Sequence, residues 1–485
     1  MTRREDLRFV VIGAGMSGIL AAVRLREAGF DDFVVYEKGD KVGGTWRENT
    51  YPGIACDVPS HFYSYSFALN PEWSSRFAPG DEIQRYFADI ARRYEVEPRI
   101  EFEKEVTRCS FEDGRWHLEF ADGATDIGDF VIAATGVLHH PAMPDIEGLD
   151  TFAGPAFHSA RWDHDVSLAG KRVGVVGTGS SATQIVAAVV DEVESLTLFQ
   201  RTAQWITPIE NESYSEEEKA EFRVNAAAML EIREEAARAF TDGFANHVVD
   251  ATSPVLELIH NSCVANLDNN VADPELREAL RPDYRATCKR LVMSTGFYPA
   301  IQNPVANLVT EDIERVEASG VRTSDGRLHE LDVLVLATGF AVENFVRPMR
   351  VTGRDGVKLD DVWKQGPHAY LALSVPDFPN FFMLQGPSGP VGNFSLIEVA
   401  ELQFAYVLQL VEEVRSGRCR EISAAREALE LYEAERREAA KLTIWASGCK
   451  SWYLDERGLP TAWPWTFDRF RERMAAPNLE DFESR

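Results

Sequence analysis

The sequence has no Cys-x-x-Cys pair. Its six cysteines, Cys56, Cys109, Cys263, Cys288, Cys419 and Cys449, are scattered, and none joins histidines at metal-ligand spacing. This excludes the flavin reductases that work through a redox dithiol and gives no metal site. It points to a reduced cytoplasmic setting without structural disulfides. Positive charge is also scarce, with a net charge of −28. No basic face can dominate such a surface, which excludes nucleic acid as a partner. Any anionic ligand must then be held by local Arg or Lys beside a suitable turn. No stretch reaches the roughly 18–20 uncharged apolar residues of a membrane span. The longest candidate, FVVIGAGMSGILAAV (9–23), carries three glycines and follows the acidic residues of RRED. No cleavage-like site follows it, so it does not read as a signal peptide. No feature specifies an oligomeric state.

What is present is an ordinary globular composition, 45% hydrophobic and 26% charged over 485 residues, enough for two or three domains. Residues 7–37 read as a buried strand, a glycine turn, a helix and a second strand. The same unit recurs at 171–201. Two more apolar strands, FVIAATG (130–136) and LVLATGF (334–340), end in the same Ala-Thr-Gly. The pattern predicts an α/β fold with two Rossmann-like dinucleotide-binding domains. SEEEKAEFRVNAAAMLEIREEAARAF and DPELREAL mark a helical insertion over about 213–285, and 401–443 predicts two further amphipathic helices.

The two glycine turns differ in a way that matters. Gly13, Gly15 and Gly18 follow a strand and open a helix, whose first N–H groups can face a pyrophosphate. Glu37 stands 24 residues after Gly13. An acid there accepts hydrogen bonds from ribose hydroxyls and repels a 2′-phosphate, so this turn should bind FAD or NAD. In the second copy, Gly177, Gly179 and Ala182, the same spacing leads to Arg201. An Arg there favours a 2′-phosphate, hence NADP; read alone, the alternative is a solvated surface residue. The pairing of acid and base in one chain points to two cofactors, FAD and NADPH.

The segment GGTWRENTYPGIACD (43–57) resembles the Gly-Gly-x-Trp, aromatic-Pro-Gly and Asp motif of Baeyer–Villiger monooxygenases. FAGPAFHSARWD (152–163) matches their fingerprint F-x-G-x-x-x-H-x-x-x-W-(P/D) at Phe152, Gly154, His158, Trp162 and Asp163. LATGF (336–340), CKR (288–290) with FYPAIQNP downstream, and SWY (451–453) are similar to further segments of that family. The resemblance implies an FAD-binding domain in two parts (1–148 and 337–485) around an NADP-binding domain (149–336). It implies that NADPH reduces FAD and that reduced flavin adds O2. The resulting C4a-peroxyflavin attacks a ketone to give an ester or lactone. The same intermediate can oxygenate sulfur or nitrogen, and an uncoupled enzyme of this type acts as an NADPH oxidase.

The resemblance also implies roles. Arg290 supplies fixed positive charge at the peroxide and the oxyanion, because Arg stays charged. Asp57 positions it through a charge-assisted hydrogen bond. Lys289 joins Arg201 at the 2′-phosphate, since neighbours in an extended loop point in opposite directions. Trp46 stacks on flavin, and Ser17, Thr45, Tyr63 and Val106 contact FAD. Thr178, Ser180, Ser181 and Thr202 contact NADP, and Trp452 lies on the nicotinamide side. Read without the family, the same residues are a basic dipeptide, a turn-capping Asp and packed aromatics. Gly154 should allow a tight bend, while His158 and Trp162, one helical turn apart, should fasten the domain junction. The substrate pocket should draw on the helical insertion and on loops near 291–300, 390–396 and 451–465. Their apolar residues favour a hydrophobic ketone.

Overall fold

The computed structural model describes residues 6–392 and 394–485. Asn393 of the 390–396 loop and Glu5 of RRED lie outside the described residues. Two parallel five-stranded sheets organise the chain. The first has the order Phe381–Met383, Phe130–Ala133, Phe9–Ile12, Phe33–Tyr36, Ile100–Glu101. Its inner strands read FVVI, FVVY and FVIA and are buried throughout. β-Branched and aromatic runs of this kind suit strands covered on both faces. The second sheet has the order Ala306–Val309, Ser195–Phe199, Arg172–Val176, Val333–Leu336, Ala156–His158.

The repeated Ala-Thr-Gly has a structural reason. Gly13 (φ +102°) lies against the carbonyl of Ala134, and Gly177 (φ +115°) against that of Ala337. A Cβ at Gly13 would sit 2.6 Å from that oxygen, and one at Gly177 2.4 Å. Each glycine turn therefore presses on the Ala-Thr-Gly that ends the neighbouring strand, and only glycine fits both the space and the φ. Helices Met16–Glu27 and Ser180–Val189 start at the two turns.

The helical insertion comprises Glu216–Val224, Ala226–Phe240, Pro254–Asn270 and Pro274–Ala279. Ser215 and Glu218 form a capping box at its start, and Asp273 caps its last helix. It leans on the segment after Asp57: Phe240 packs 6.1 Å from Phe62, and His61 meets Tyr214 and Phe222. Towards the C-terminus, Leu396–Arg415 buries Ile397, Phe404 and Leu410 in one core with Ile19 and Val23 of the first glycine-turn helix. Among the described residues, no helix is long and apolar enough to cross a membrane.

One expectation fails. Cys288 and Cys449 are joined as a disulfide, with Cα atoms 6.2 Å apart. They stand 161 residues apart in sequence, so no spacing announces the pair, and only the folded chain brings them together. Cys56, Cys109, Cys263 and Cys419 are free and buried.

Candidate active site

Both glycine turns open into one cavity of about 1450 Å³ at the carboxyl ends of the two sheets. Gly13, Gly15, Ser17, Glu37, Thr45, Trp46, Asp57, Tyr63 and Val106 line one part of it. Gly177, Thr178, Gly179, Ser180, Ser181, Arg201, Thr202, Lys289, Arg290 and Trp452 line the other. Of the expected site residues only Gly18 does not face it. Gly18 lies beneath the turn, where a Cβ would stand 1.8 Å from the Gly13 carbonyl oxygen.

Glu37 is fixed by the turn it serves. Ala14 and Gly39 donate their N–H groups to its carboxylate, each at 2.8 Å. Arg47 Nη1 donates to it at 2.6 Å. Arg47 also pairs with Glu48, and Glu48 pairs with Arg161 at 2.6 Å. Four alternating charges thus run from the ribose-type acid to the junction segment 152–163. The Arg47 and Glu37 side chains are only 7% and 5% exposed. Burial pulls the Arg47 guanidinium down, but Glu37 and Glu48 outweigh it and its pKa rises. The sequence reading missed this chain, although Arg47 and Glu48 lie in one quoted motif and Arg161 in another. Nearby, Trp46 Nε1 donates to Tyr63 Oη at 3.2 Å and the rings meet edge to face.

The 43–57 segment also reaches the second unit. Tyr51 Oη donates to Gln184 at 2.9 Å and accepts from Ser181 Oγ at 3.1 Å. Gln184 returns a bond to the Ala55 carbonyl at 3.0 Å. Thr178 Oγ1 donates to the Thr202 carbonyl at 2.7 Å and shapes the second turn. Arg201 and Lys289 converge here. Burial lowers the Lys289 pKa against an upward pull from Asp283, and the Arg201 charge lowers it a little further. The Lys289 ammonium sits 4.4 Å from the Tyr284 ring. Neither cation makes an ion pair among the described residues.

Residues 286–289 form a turn and bend rather than the extended loop expected, with Thr287 at φ +75°, and Lys289 and Arg290 still take separate partners. Arg290 Nη2 donates to Asp57 Oδ2 at 2.5 Å, and Nη1 donates to the Gly392 carbonyl. Burial works against the Arg290 charge, but Asp57 more than compensates and the pKa moves up. Tyr453 Oη donates to the same Gly392 carbonyl at 3.3 Å. Tyr453 stacks between Trp452, 4.1 Å away, and Trp445, 5.0 Å away. Trp452 itself is 40% exposed at the cavity. Val292, Met293, Val391, Phe394 and Leu396 add apolar wall from two of the loops expected near substrate. Among the described residues the helical insertion contributes no lining residue, contrary to expectation: Phe240 and Ala245 pack in the core that holds Phe62, while Cys263, Leu267, Val271 and Leu280 pack in the core of the second sheet.

The junction segment differs in detail from its sequence reading. Ala156–His158 is a strand and Ser159–Arg161 a single 3₁₀ turn, so His158 and Trp162 share no helix face. His158 is buried at the end of the strand beside Leu336; its Nδ1 accepts from Ala160 N–H at 3.1 Å, and its ring faces Phe340. Trp162 packs edge to face on Phe157. Gly154 stands in a bend, as expected, and also allows a close approach, since a Cβ would lie 2.3 Å from the Asp332 carbonyl oxygen.

Comparisons with known proteins fit this geometry. The family described as pyridine nucleotide-disulphide oxidoreductase matches residues 10–252. An uncharacterized monooxygenase of Mycobacterium tuberculosis is 47% identical over 98% of this chain and 95% of its own length. A protein named Baeyer-Villiger monooxygenase from Streptomyces coelicolor is 40% identical over 99% of this chain and 93% of its own. The crystal structure of cyclohexanone monooxygenase from Rhodococcus sp. Phi1 bound to NADP+ is similar with a TM-score of 0.88. It shares 28% identity, and the match covers 99% of both chains.

Proposed function

The chain belongs to the Baeyer–Villiger monooxygenases, built on the dinucleotide fold matched at residues 10–252, and from that premise we propose that it uses NADPH and O2 to convert a ketone into an ester or lactone. The observation that carries this reading is Arg290, held by Asp57 and Gly392 on the wall of a cavity shared by two glycine turns.

The residues present fit FAD and NADPH. The first turn leaves backbone N–H groups and a fixed acid, Glu37, for a ribose without phosphate. The second offers Arg201 and Lys289, two cations that line the same part of the cavity and make no close ion pair among the described residues, for a 2′-phosphate. On this reading residues 1–148 and 337–485 form the FAD domain, and 149–336 the NADP domain with its insertion at 213–285. Reduced FAD, when bound, activates O2 and supplies the oxygen atom that enters the product. Arg290 keeps its charge at every working pH and stabilises the negative charge that builds on the ketone oxygen. Asp57 positions Arg290. Trp46 and Tyr63 form the flavin-side wall, and Trp452 closes the nicotinamide side. The apolar wall favours a hydrophobic ketone, and the cytoplasm is the compartment in keeping with NADPH supply.

The test is a ketone panel with product mass spectrometry, run on the wild type and on Arg290→Ala. Ester formation should fall about 10²–10³-fold in the variant, the usual cost of losing one oxyanion partner. Oxygenation of a thioether, which needs no oxyanion partner, should persist. Unchanged ester formation in the variant would overturn the reading.

A further inference from the structure

The Cys288–Cys449 pair has no part in the oxygenation described above, yet it lies between two of its working segments. Cys288 is two residues before Arg290 and 1% exposed; Cys449 is half-buried and three residues before Trp452. Their Cα separation of 6.2 Å lies within the span that a disulfide bridges. Both sulfurs sit against one apolar cluster containing Ile444, Trp445 and Tyr453, and Ser447 Oγ donates to Cys288 at 3.2 Å. The remaining cysteines are buried and unpaired. Apart from this bond, among the described residues the 449–453 segment is tied to the site by one side-chain hydrogen bond, Tyr453 to Gly392, and by stacking of its rings on Trp445.

We propose that Cys288–Cys449 is an oxidative modification site whose oxidant is hydrogen peroxide, and that the bond, once formed, holds Trp452 and Tyr453 against the Arg290 loop. The source of peroxide and the role of Trp452 rest on the function proposed above: O2 activated without reaching substrate leaves the cavity as hydrogen peroxide. Cys449, the more accessible thiol, attacks one peroxide oxygen as thiolate. The O–O bond breaks, a sulfenic acid forms, and the second oxygen leaves as water once protonated. The Cys288 sulfur then attacks the sulfenic sulfur, the S–O bond breaks, and a second water leaves. The two thiols lose two electrons and the peroxide gains two. A small dithiol reverses the reaction by exchange. Wasted turnover would thereby fasten the wall on the nicotinamide side, a feedback built from the two cysteines alone.

The experiment uses full-length, FAD-loaded protein treated with hydrogen peroxide or with dithiothreitol, alkylated and then analysed by mass spectrometry. Peroxide should give a linked 288–449 peptide, and dithiothreitol two alkylated cysteines. Trypsin should cut after Lys450, which is exposed, several-fold faster in the reduced form. The KM for NADPH should rise about three- to tenfold on reduction. Cys449→Ser should behave as the reduced form under both treatments. If that variant loses FAD, the two treatments of the wild type still decide. Failure of peroxide to link the pair, or a linked protein with unchanged Lys450 cleavage and unchanged KM, would overturn the proposal. Because peroxide is added and linkage is read directly, an error in the assigned ketone reaction would not disturb this result.

Discussion

Replacing Asp57 by Ala removes the carboxylate that holds one arm of Arg290 at 2.5 Å. Arg290 would keep only the Gly392 carbonyl as a fixed partner, with Tyr453 on the same oxygen. A hydrogen bond between charged groups is worth about 1.5–3 kcal/mol. Both side chains keep roughly a quarter of their surface, at 24% and 28% exposed, so water can replace part of the lost contact. If about half of that energy remains and serves to aim the guanidinium, kcat/KM for the ketone should fall about 4- to 13-fold, at 1.36 kcal/mol per decade. Asp57→Asn keeps a neutral acceptor and should lose about half as much free energy. FAD content and the rate of flavin bleaching by NADPH should stay within about threefold of wild type, since no dinucleotide turn is touched. The deciding assay is the double-mutant cycle with Arg290→Ala. Once Arg290 is gone, Asp57→Ala should cost little more. Additive losses, or a single Asp57→Ala variant within threefold of wild type, would refute the positioning role.

Arg201→Ala should raise the KM for NADPH about 5- to 50-fold and leave the KM for NADH unchanged, because only the 2′-phosphate is lost as a partner; equal changes for both would contradict the assignment. Arg47→Met leaves Glu37 and Glu48 buried without their shared cation. Breaking a buried pair costs about 3–5 kcal/mol, and the remaining partners of the two acids place this case near the lower end. Urea unfolding of the FAD-free protein would show it, and a loss below about 1 kcal/mol would argue against the chain of charges. His61 is buried between Tyr214 and Phe222 with neither ring nitrogen hydrogen-bonded among the described residues, and burial lowers its pKa from 6.5 to about 4. The unfolded chain therefore takes up this proton at higher pH than the folded one. The stability gained by keeping His61 neutral is complete above about pH 6.5 and is lost as pH falls towards 4. Between pH 7 and pH 5 this amounts to about 2 kcal/mol. His61→Phe should remove that part of the acid sensitivity, and an identical pH slope in the variant would exclude His61 as its source.

The local physics was legible in the sequence. Strands buried on both faces must be continuous apolar runs, and a turn that presses on a carbonyl must be glycine. The two units, their Ala-Thr-Gly strand ends and the contrast between Glu37 and Arg201 could therefore be read directly from residue types and spacing. So could the apposition of Asp57 and Arg290, but only through resemblance to a family, since 233 residues separate them.

What the sequence could not determine was every contact that depends on where separate segments meet. Arg47, Glu48 and Arg161 look like surface charges until the junction segment meets the 43–57 segment and joins them in one chain, in which the Arg47 and Glu48 side chains are largely buried and Arg161 stays exposed. The helical insertion is amphipathic by pattern, but pattern does not say against what. Its apolar residues divide between the core beneath residues 58–67 and the core of the second sheet, and the cavity is left to other loops. Six scattered cysteines specify no pairing, and Cys288 meets Cys449 only because the Arg290 loop and the Trp452 segment close on the same cavity. Hydrophobic period and turn chemistry act over a few residues and are written in order along the chain. Ion pairs, disulfides and cavity walls join residues far apart in sequence, and which of them form is decided by tertiary packing.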